Sequence, residues 1–263
     1  MKKKLFRKIS GNSASSANLF TVGHILPAFV TLSSCACGMT AILWASRGYF
    51  GRAVLLVMLG AILDGLDGRL ARMFKTSSQF GVELDSLVDA ISFGVAPAFV
   101  TFFYATSGAK GIGWVVSVMF ACACVLRLAR FNTMAGSSKV PEYWSHFFTG
   151  MPAPAGGLMA FFPIALYNAT KIELFQDPRL VAAWVSIIAF FFVSRIPMLS
   201  LKKVKVSSTA ASYILIMLVL ALMLLVFYFW HVLAVTGALY LLSMPFVIAS
   251  FLKARRLAEG GAK

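Results

Sequence analysis

Acidic side chains are scarce in this chain: nine aspartates and glutamates stand among 263 residues, against 24 lysines and arginines. Charge of either sign is sparse too, at 13% of residues, while 60% are hydrophobic, well above the half or so usual in soluble domains. That balance excludes a soluble globular protein. It also excludes nucleic acid as a partner, because the +15 charge sits in short joints between apolar runs rather than in a basic domain. The four cysteines form two Cys-x-Cys pairs, Cys35 with Cys37 and Cys122 with Cys124, inside apolar runs. There they read as small buried hydrophobes, since zinc ligands are usually spaced by two or more residues. His24, His146 and His231 show no ligand spacing. No fixed-period repeat or long linker divides the chain, and Met1–Ser16 is basic and then serine-rich, without the apolar core of a secretory signal.

What the chain has in plenty is hydrocarbon. Apolar runs of the roughly 20 residues that a spanning helix needs follow one another along the sequence. A stretch such as Tyr213–Trp230 is apolar on every face, which suits a helix and not the alternating strands of a membrane barrel. The runs predict an all-α integral membrane protein of about eight transmembrane helices, near 25–46, 50–72, 82–105, 111–131, 150–169, 180–199, 210–229 and 231–252. Residues 1–24 form a cytoplasmic N-terminal segment whose 11–24 part suits an interfacial helix, 25–252 a single catalytic domain, and 253–263 a basic cytoplasmic tail. Nineteen lysines and arginines fall on the side of the two termini and five on the other. Because basic loops are retained in the cytoplasm, both termini are expected there, beside anionic headgroups.

Four aspartates lie within one 26-residue window: Asp64-Gly-Leu-Asp67-Gly68-Arg-Leu-Ala71-Arg72, then Gly81-Val-Glu-Leu-Asp85-Ser-Leu-Val-Asp89. Carboxylates near hydrocarbon are costly, so they face a polar cavity and mark function. Asp64 and Asp67 are three apart and Asp85 and Asp89 four apart, which lines each pair along one face of its helix. A short basic joint folds the two helices into a hairpin, and the four carboxylates converge. Their mutual repulsion calls for a cation, and an all-oxygen shell suits two Mg2+ or Mn2+ ions of the kind that clamp a phosphoryl displacement. Gly65, Gly68 and Gly81 either let a ligand approach the backbone or serve helix packing.

The motif Asp-x2-Asp-Gly-x2-Ala-Arg-x8-Gly-x3-Asp-x3-Asp, met in full by Asp64, Asp67, Gly68, Ala71, Arg72, Gly81, Asp85 and Asp89, resembles the signature of the CDP-alcohol phosphotransferases. The resemblance implies a six-helix membrane core, here with two further C-terminal helices. It also implies two divalent metals on Asp64, Asp67, Asp85 and Asp89, a CDP-linked donor touched by Gly68, Ala71, Arg72 and Gly81, Asp89 as general base, and a homodimer. Three further stretches, Arg127-Leu-Ala-Arg130-Phe-Asn132, Gly150-Met-Pro152-Ala-Pro154-Ala and Ser194-Arg195-Ile-Pro197, resemble bacterial phosphatidylserine synthases of the membrane-integral type. That points to CDP-diacylglycerol and L-serine as substrates in the bacterial cytoplasmic membrane. The first span departs from the pattern: Pro27-Ala28-Phe29-Val30-Thr31 stands where such enzymes often read Pro-Asn-x-x-Thr, leaving Thr31 as a donor contact.

Arg127 and Arg130, three apart near the cytoplasmic end of a span, suit a grip on the acceptor carboxylate or donor phosphates, with Asn132 beside them. They equally suit charges that snorkel to the interface. Two other readings stay open. One is transfer to another acceptor, glycerol 3-phosphate, an inositol phosphate or choline; the other is a cation-coupled transporter, since buried carboxylates also mark ion pathways.

Overall fold

The computed structural model describes residues 22–74, 78–109, 111–135, 147–194, 197–199 and 223–260, with Met217 and Leu220. Most of the expected interfacial helix at 11–24, most of the 210–229 span, and Arg195, Lys202, Lys203 and Lys205 lie outside the described residues.

Helices α1 (Val22–Ser46) and α2 (Phe50–Met73) form an antiparallel hairpin across Arg47-Gly48-Tyr49. Gly48 ends α1 at φ +82°, where a residue with a Cβ is strained, and its N–H donates to the Ala45 carbonyl while that of Tyr49 reaches Trp44. These two bonds satisfy carbonyls that the helix end would otherwise leave open. Arg52 lies over the rings of Trp44 and Tyr49 at 4.7 and 4.8 Å, fastening the turn. Ala41, Ala45, Ala53, Val54 and Val57 are fully buried or nearly so along the hairpin. Small side chains of this kind let two membrane helices approach closely.

Helix α3 (Gln79–Asp89) starts at Ser78, whose hydroxyl accepts the Gly81 N–H at 3.1 Å. It runs through one π-helical turn, Ala90–Val95, into α4 (Ala96–Tyr104). In that turn the N–H of Ala96 reaches back to Ile91, and Pro97, which has no N–H to give, follows at once. Ser34 of α1 donates to the Gly60 carbonyl of α2, and Ser92 of the π turn donates to the Ser34 carbonyl, so three elements share one buried polar stitch. Helix α5 (Gly111–Ala135) packs on α8 (Pro178–Val193) through the edge-on rings of Phe120 and Phe192, 5.3 Å apart. Between them in sequence lie α6 (Ala153–Met159) and α7 (Phe162–Thr170), and the last described element is α9 (Phe229–Gly260).

Among the described residues four helical stretches are long and apolar enough to cross a membrane: Ile25–Ser46, Gln79–Tyr104, Gly111–Thr133 and Phe229–Phe251. The fold is that of a largely helical, multi-helix membrane protein; four of the eight expected spans meet these criteria, most of a fifth lies outside the described residues, and the other three depart from a long uniform run. α2 carries Arg52, Asp64, Asp67, Arg69 and Arg72, too many charges for a uniformly apolar span. The expected span at 150–169 is two helices: Pro163 cannot donate to the carbonyl of Met159, four residues back, and Trp184 Nε1 donates to that carbonyl instead at 2.8 Å. The expected span at 180–199 stops at Val193, after 16 residues, and the chain continues as β2 (Pro197–Leu199), which pairs antiparallel with β1 (Phe147–Thr149). Pro197 bars the run from reaching 199, since helices usually end at or before the residue preceding a proline. This strand pair is the departure from the all-α expectation among the described residues.

Candidate active site

An α-helix turns about 100° per residue. On α2 this sets Asp67, Ala71, Asp64, Gly68 and Arg72 side by side on one stripe, with Gly65 at its edge. On α3 it sets Gly81, Asp85 and Asp89 on another. The two stripes meet: one carboxylate oxygen from each of Asp64, Asp67 and Asp85 lies within 4.8 Å of the others. Asp89, a turn deeper at 9% exposure, lies beside Asp64, which also reaches Asp85. Thr31 of α1 donates to Asp67 Oδ2 at 2.6 Å, and the Pro27 carbonyl lies 3.0 Å from the same hydroxyl. Thr31, expected as a donor contact, thus stands in the cluster and holds one of its aspartates.

The donor set fits a divalent cation. It consists of carboxylate oxygens, with no histidine or cysteine in the group, the shell that hard ions such as Mg2+ and Mn2+ take. The charge balance agrees, because the arginine beside the cluster, Arg127, is one cation next to several carboxyls.

Space beside the cluster separates the glycines into two kinds. A Cβ added at Gly60 would lie 3.3 Å from Ser34 Oγ, and one at Gly38 would lie 3.0 Å from the Ser92 backbone, so these two pack helices. At Gly65 and Gly68 it would meet nothing within 4 Å. These two border open space next to the aspartates, where a ligand can reach the helix. Arg72 is exposed and its Nε donates to the Gly68 carbonyl at 2.9 Å; Ala71 is half-buried on the same stripe. Gly81 uses its N–H on Ser78 at the start of α3.

The three acceptor candidates divide. Arg127 is 8% exposed and interacts electrostatically with Asp89 and with Tyr240 of α9. Its Nε is buried and meets no hydrogen-bond acceptor among the described residues. Arg130, one turn on, donates to the carbonyls of Phe192, Val193 and Ser194 at 3.2, 2.6 and 3.1 Å. The last carbonyls of a helix lack partners within it, and a guanidinium satisfies both their hydrogen bonds and their partial negative charge. Gly150, at φ +76°, completes this joint: a Cβ there would sit 2.8 Å from the Ser194 carbonyl and 3.1 Å from Arg130 Nη2. Asn132 donates to Ser86 Oγ at 2.8 Å, tying α5 to α3 between Asp85 and Asp89. Thus Arg127 adjoins the carboxylates, while Arg130 and Asn132 hold helices in register. Sequence reading passed over Ser86, which fills a variable position of the motif beside Asp85, and Tyr240, which lies far from it in sequence and meets the site only through the fold.

Residues 24–194 match the family model described as CDP-alcohol phosphatidyltransferase, about two thirds of the chain. The chain belongs to that family. Among the curated relatives, the CDP-diacylglycerol–serine O-phosphatidyltransferase of Mycobacterium leprae is 40% identical over 184 residues, 70% of this chain and 61% of that protein. The protein of the same name from Helicobacter pylori is 37% identical over 182 residues, covering 69% of this chain and 75% of its own length. That of Bacillus subtilis is 31% identical over 180 residues, 68% of this chain and 93% of that one. The matched stretch is thus less than two thirds of the mycobacterial protein's length.

Proposed function

We propose that this membrane protein is a phosphatidylserine synthase, transferring the phosphatidyl group of CDP-diacylglycerol to the hydroxyl of L-serine and releasing CMP. One observation carries the reading: the carboxylates of Asp64, Asp67 and Asp85 gather at the open face of α2 left by Gly65 and Gly68, with the buried Arg127 alongside. The family match and the names of relatives at 31–40% identity support the choice of donor and acceptor.

In this reading Asp64, Asp67, Asp85 and Asp89 hold two Mg2+ or Mn2+ ions, which when bound neutralise the donor pyrophosphate and the departing CMP. Gly65 and Gly68 admit the donor to the helix surface, and Gly68, Ala71 and Arg72 line its nucleotide, with Gly81 at the opposite stripe. The Arg127 guanidinium pairs with an anionic group of the substrates, the serine carboxylate first, through charge-assisted hydrogen bonds. Asp89 accepts the proton of the serine hydroxyl as that oxygen bonds to the phosphorus nearest the diacylglycerol and the bond to CMP breaks. Thr31 keeps Asp67 in its ligand orientation, and Asn132 keeps α3 in position through Ser86. The full topology in this reading has eight spans, both termini in the cytoplasm of a bacterial cell, and a homodimer in the cytoplasmic membrane.

The test is CMP release from CDP-diacylglycerol by purified protein with serine, ethanolamine, choline, glycerol 3-phosphate or inositol phosphate supplied singly. Serine is expected to support turnover and ethanolamine, which lacks the carboxylate, to fail. Turnover with another acceptor and none with serine overturns the serine assignment. CMP release with no acceptor at all overturns the transfer.

A further inference from the structure

An apolar cavity of about 190 Å³ lies between α6, α7 and α9, walled by Leu158, Met159, Phe162, Leu233, Gly237 and Tyr240. Its origin is local. Pro163 breaks the helical run after Met159, which turns Phe162 toward α9, and α9 comes close only because residue 237 is glycine: a Cβ there would lie 2.6 Å from the Phe162 ring. The cavity is open on one side and its wall is apolar apart from Thr236 and the Tyr240 hydroxyl, a lining that suits a hydrocarbon group better than water. Two further observations indicate which hydrocarbon. Tyr240, in the cavity wall, interacts electrostatically with Arg127, as Arg127 does with Asp89, and α6, which supplies Leu158 and Met159 to the wall, packs on the π turn that follows Asp89, where a Cβ at Gly157 would lie 3.0 Å from the Phe93 carbonyl. From Tyr240 the wall continues along one face of α9 through Gly237 to Leu233, seven residues or about 10 Å of helix rise.

We propose that the cavity holds one acyl chain of the donor lipid, with Tyr240 at the junction between chain and headgroup. The inference rests on the phosphatidyl-transfer reading. It concerns α9, which lies beyond the family match at 24–194, so the match assigns it nothing.

The experiment is photolabelling of the full-length protein in lipid nanodiscs by CDP-diacylglycerol bearing a diazirine midway along one acyl chain, with peptide mapping of the adducts. Adducts are expected on the peptides spanning 155–162 and 233–240, suppressed by unlabelled CDP-diacylglycerol and not by the same amount of phosphatidylglycerol. Donor-suppressible adducts elsewhere in the chain overturn the proposal while leaving the enzymatic reading intact. Equal suppression by phosphatidylglycerol assigns the cavity to bulk lipid and also overturns it, and absence of any donor-suppressible adduct counts against both readings. A second arm narrows the cavity with Leu233→Phe. Overpacking by this amount is expected to lower the ratio of kcat/KM for dioleoyl over dihexanoyl donor roughly five- to tenfold. An unchanged ratio in a variant that elutes and melts like the parent overturns the proposal. If that variant does not fold, the labelling result decides alone.

Discussion

The first half of α2, from Phe50 to Gly60, and its second half, from Asp64 to Met73, share one continuous backbone but face different surroundings. In the first half Ala53, Val54 and Val57 are fully buried against the core, and the Gly60 carbonyl accepts a hydrogen bond from Ser34 of α1. In the second half the glycines face open space, and the buried polar group is a carboxylate, Asp67, held by Thr31. The same residue type, glycine, thus means close helix packing at position 60 and ligand access at positions 65 and 68. What decides is whether another helix stands opposite. The packed half can therefore fix the geometry of the open half without closing it.

Changes that respect this division should separate folding from chemistry. The largest effect is expected from Asp64→Ala or Asp85→Ala. Metal-assisted charge stabilisation is worth several kcal/mol, so CMP release should fall at least about a hundredfold while the melting temperature stays near the parent's. Chelation should produce the same loss, reversed by Mg2+ or Mn2+. Next come the glycines. Gly60→Leu meets Ser34 and should destabilise the fold by about 2 kcal/mol, whereas Gly68→Leu should fold normally and lose donor binding. Equal destabilisation of both in denaturant or thermal melts would erase the distinction between the two halves.

The two arginines of α5 sharpen the same contrast in a second element. Arg127→Ala should raise the serine requirement roughly tenfold or more, the equivalent of a charge-assisted hydrogen bond of about 1.5–3 kcal/mol. Arg130→Ala should instead lower stability by about 1 kcal/mol through the lost cap on α8, with donor and serine KM moving together. A selective rise of serine KM in the Arg130 variant would return that residue to the acceptor site. The smallest effect is expected from Thr31→Val, which removes the hydrogen bond to Asp67 and should weaken metal activation about tenfold, seen as a shift of the Mg2+ midpoint with little change in the maximal rate.

The carboxylate cluster was legible in the sequence because its members lie within 26 residues on two helices, where helical periodicity alone predicts shared faces. Membrane character was legible from the length of the apolar runs. The hold of Arg130 on the end of α8 was not, because those backbone carbonyls lie 62 to 64 residues away, and every residue type carries the same carbonyl. Nor was the place of Tyr240, brought beside Arg127 only by the packing of α9. The break after Met159 shows the opposite case. Pro163 stood in plain view, but the uniformly apolar run around it read as one span, and hydropathy carries no information on where a backbone hydrogen bond is missing.

The π turn at Ala90–Val95 carries a consequence for how this helix tolerates change in length. A π turn holds one residue more than an α turn, so removing any one of residues 90–95 would let the segment relax into uninterrupted α-helix with its hydrogen bonds intact. The helix would survive and so would its phase: a wider turn of six residues and an α-helical one of five cover nearly the same rotation, so Ala96 onward would keep its orientation relative to Asp85 and Asp89. Ala96, Val100 and Thr101 would stay against their partners, and the change would be confined to the turn, where Ser92 meets Ser34. A single-codon deletion here would thus be absorbed within one turn, whereas the same deletion in the α-helical stretch on either side would twist the bundle by about 100° against the carboxylates it supports.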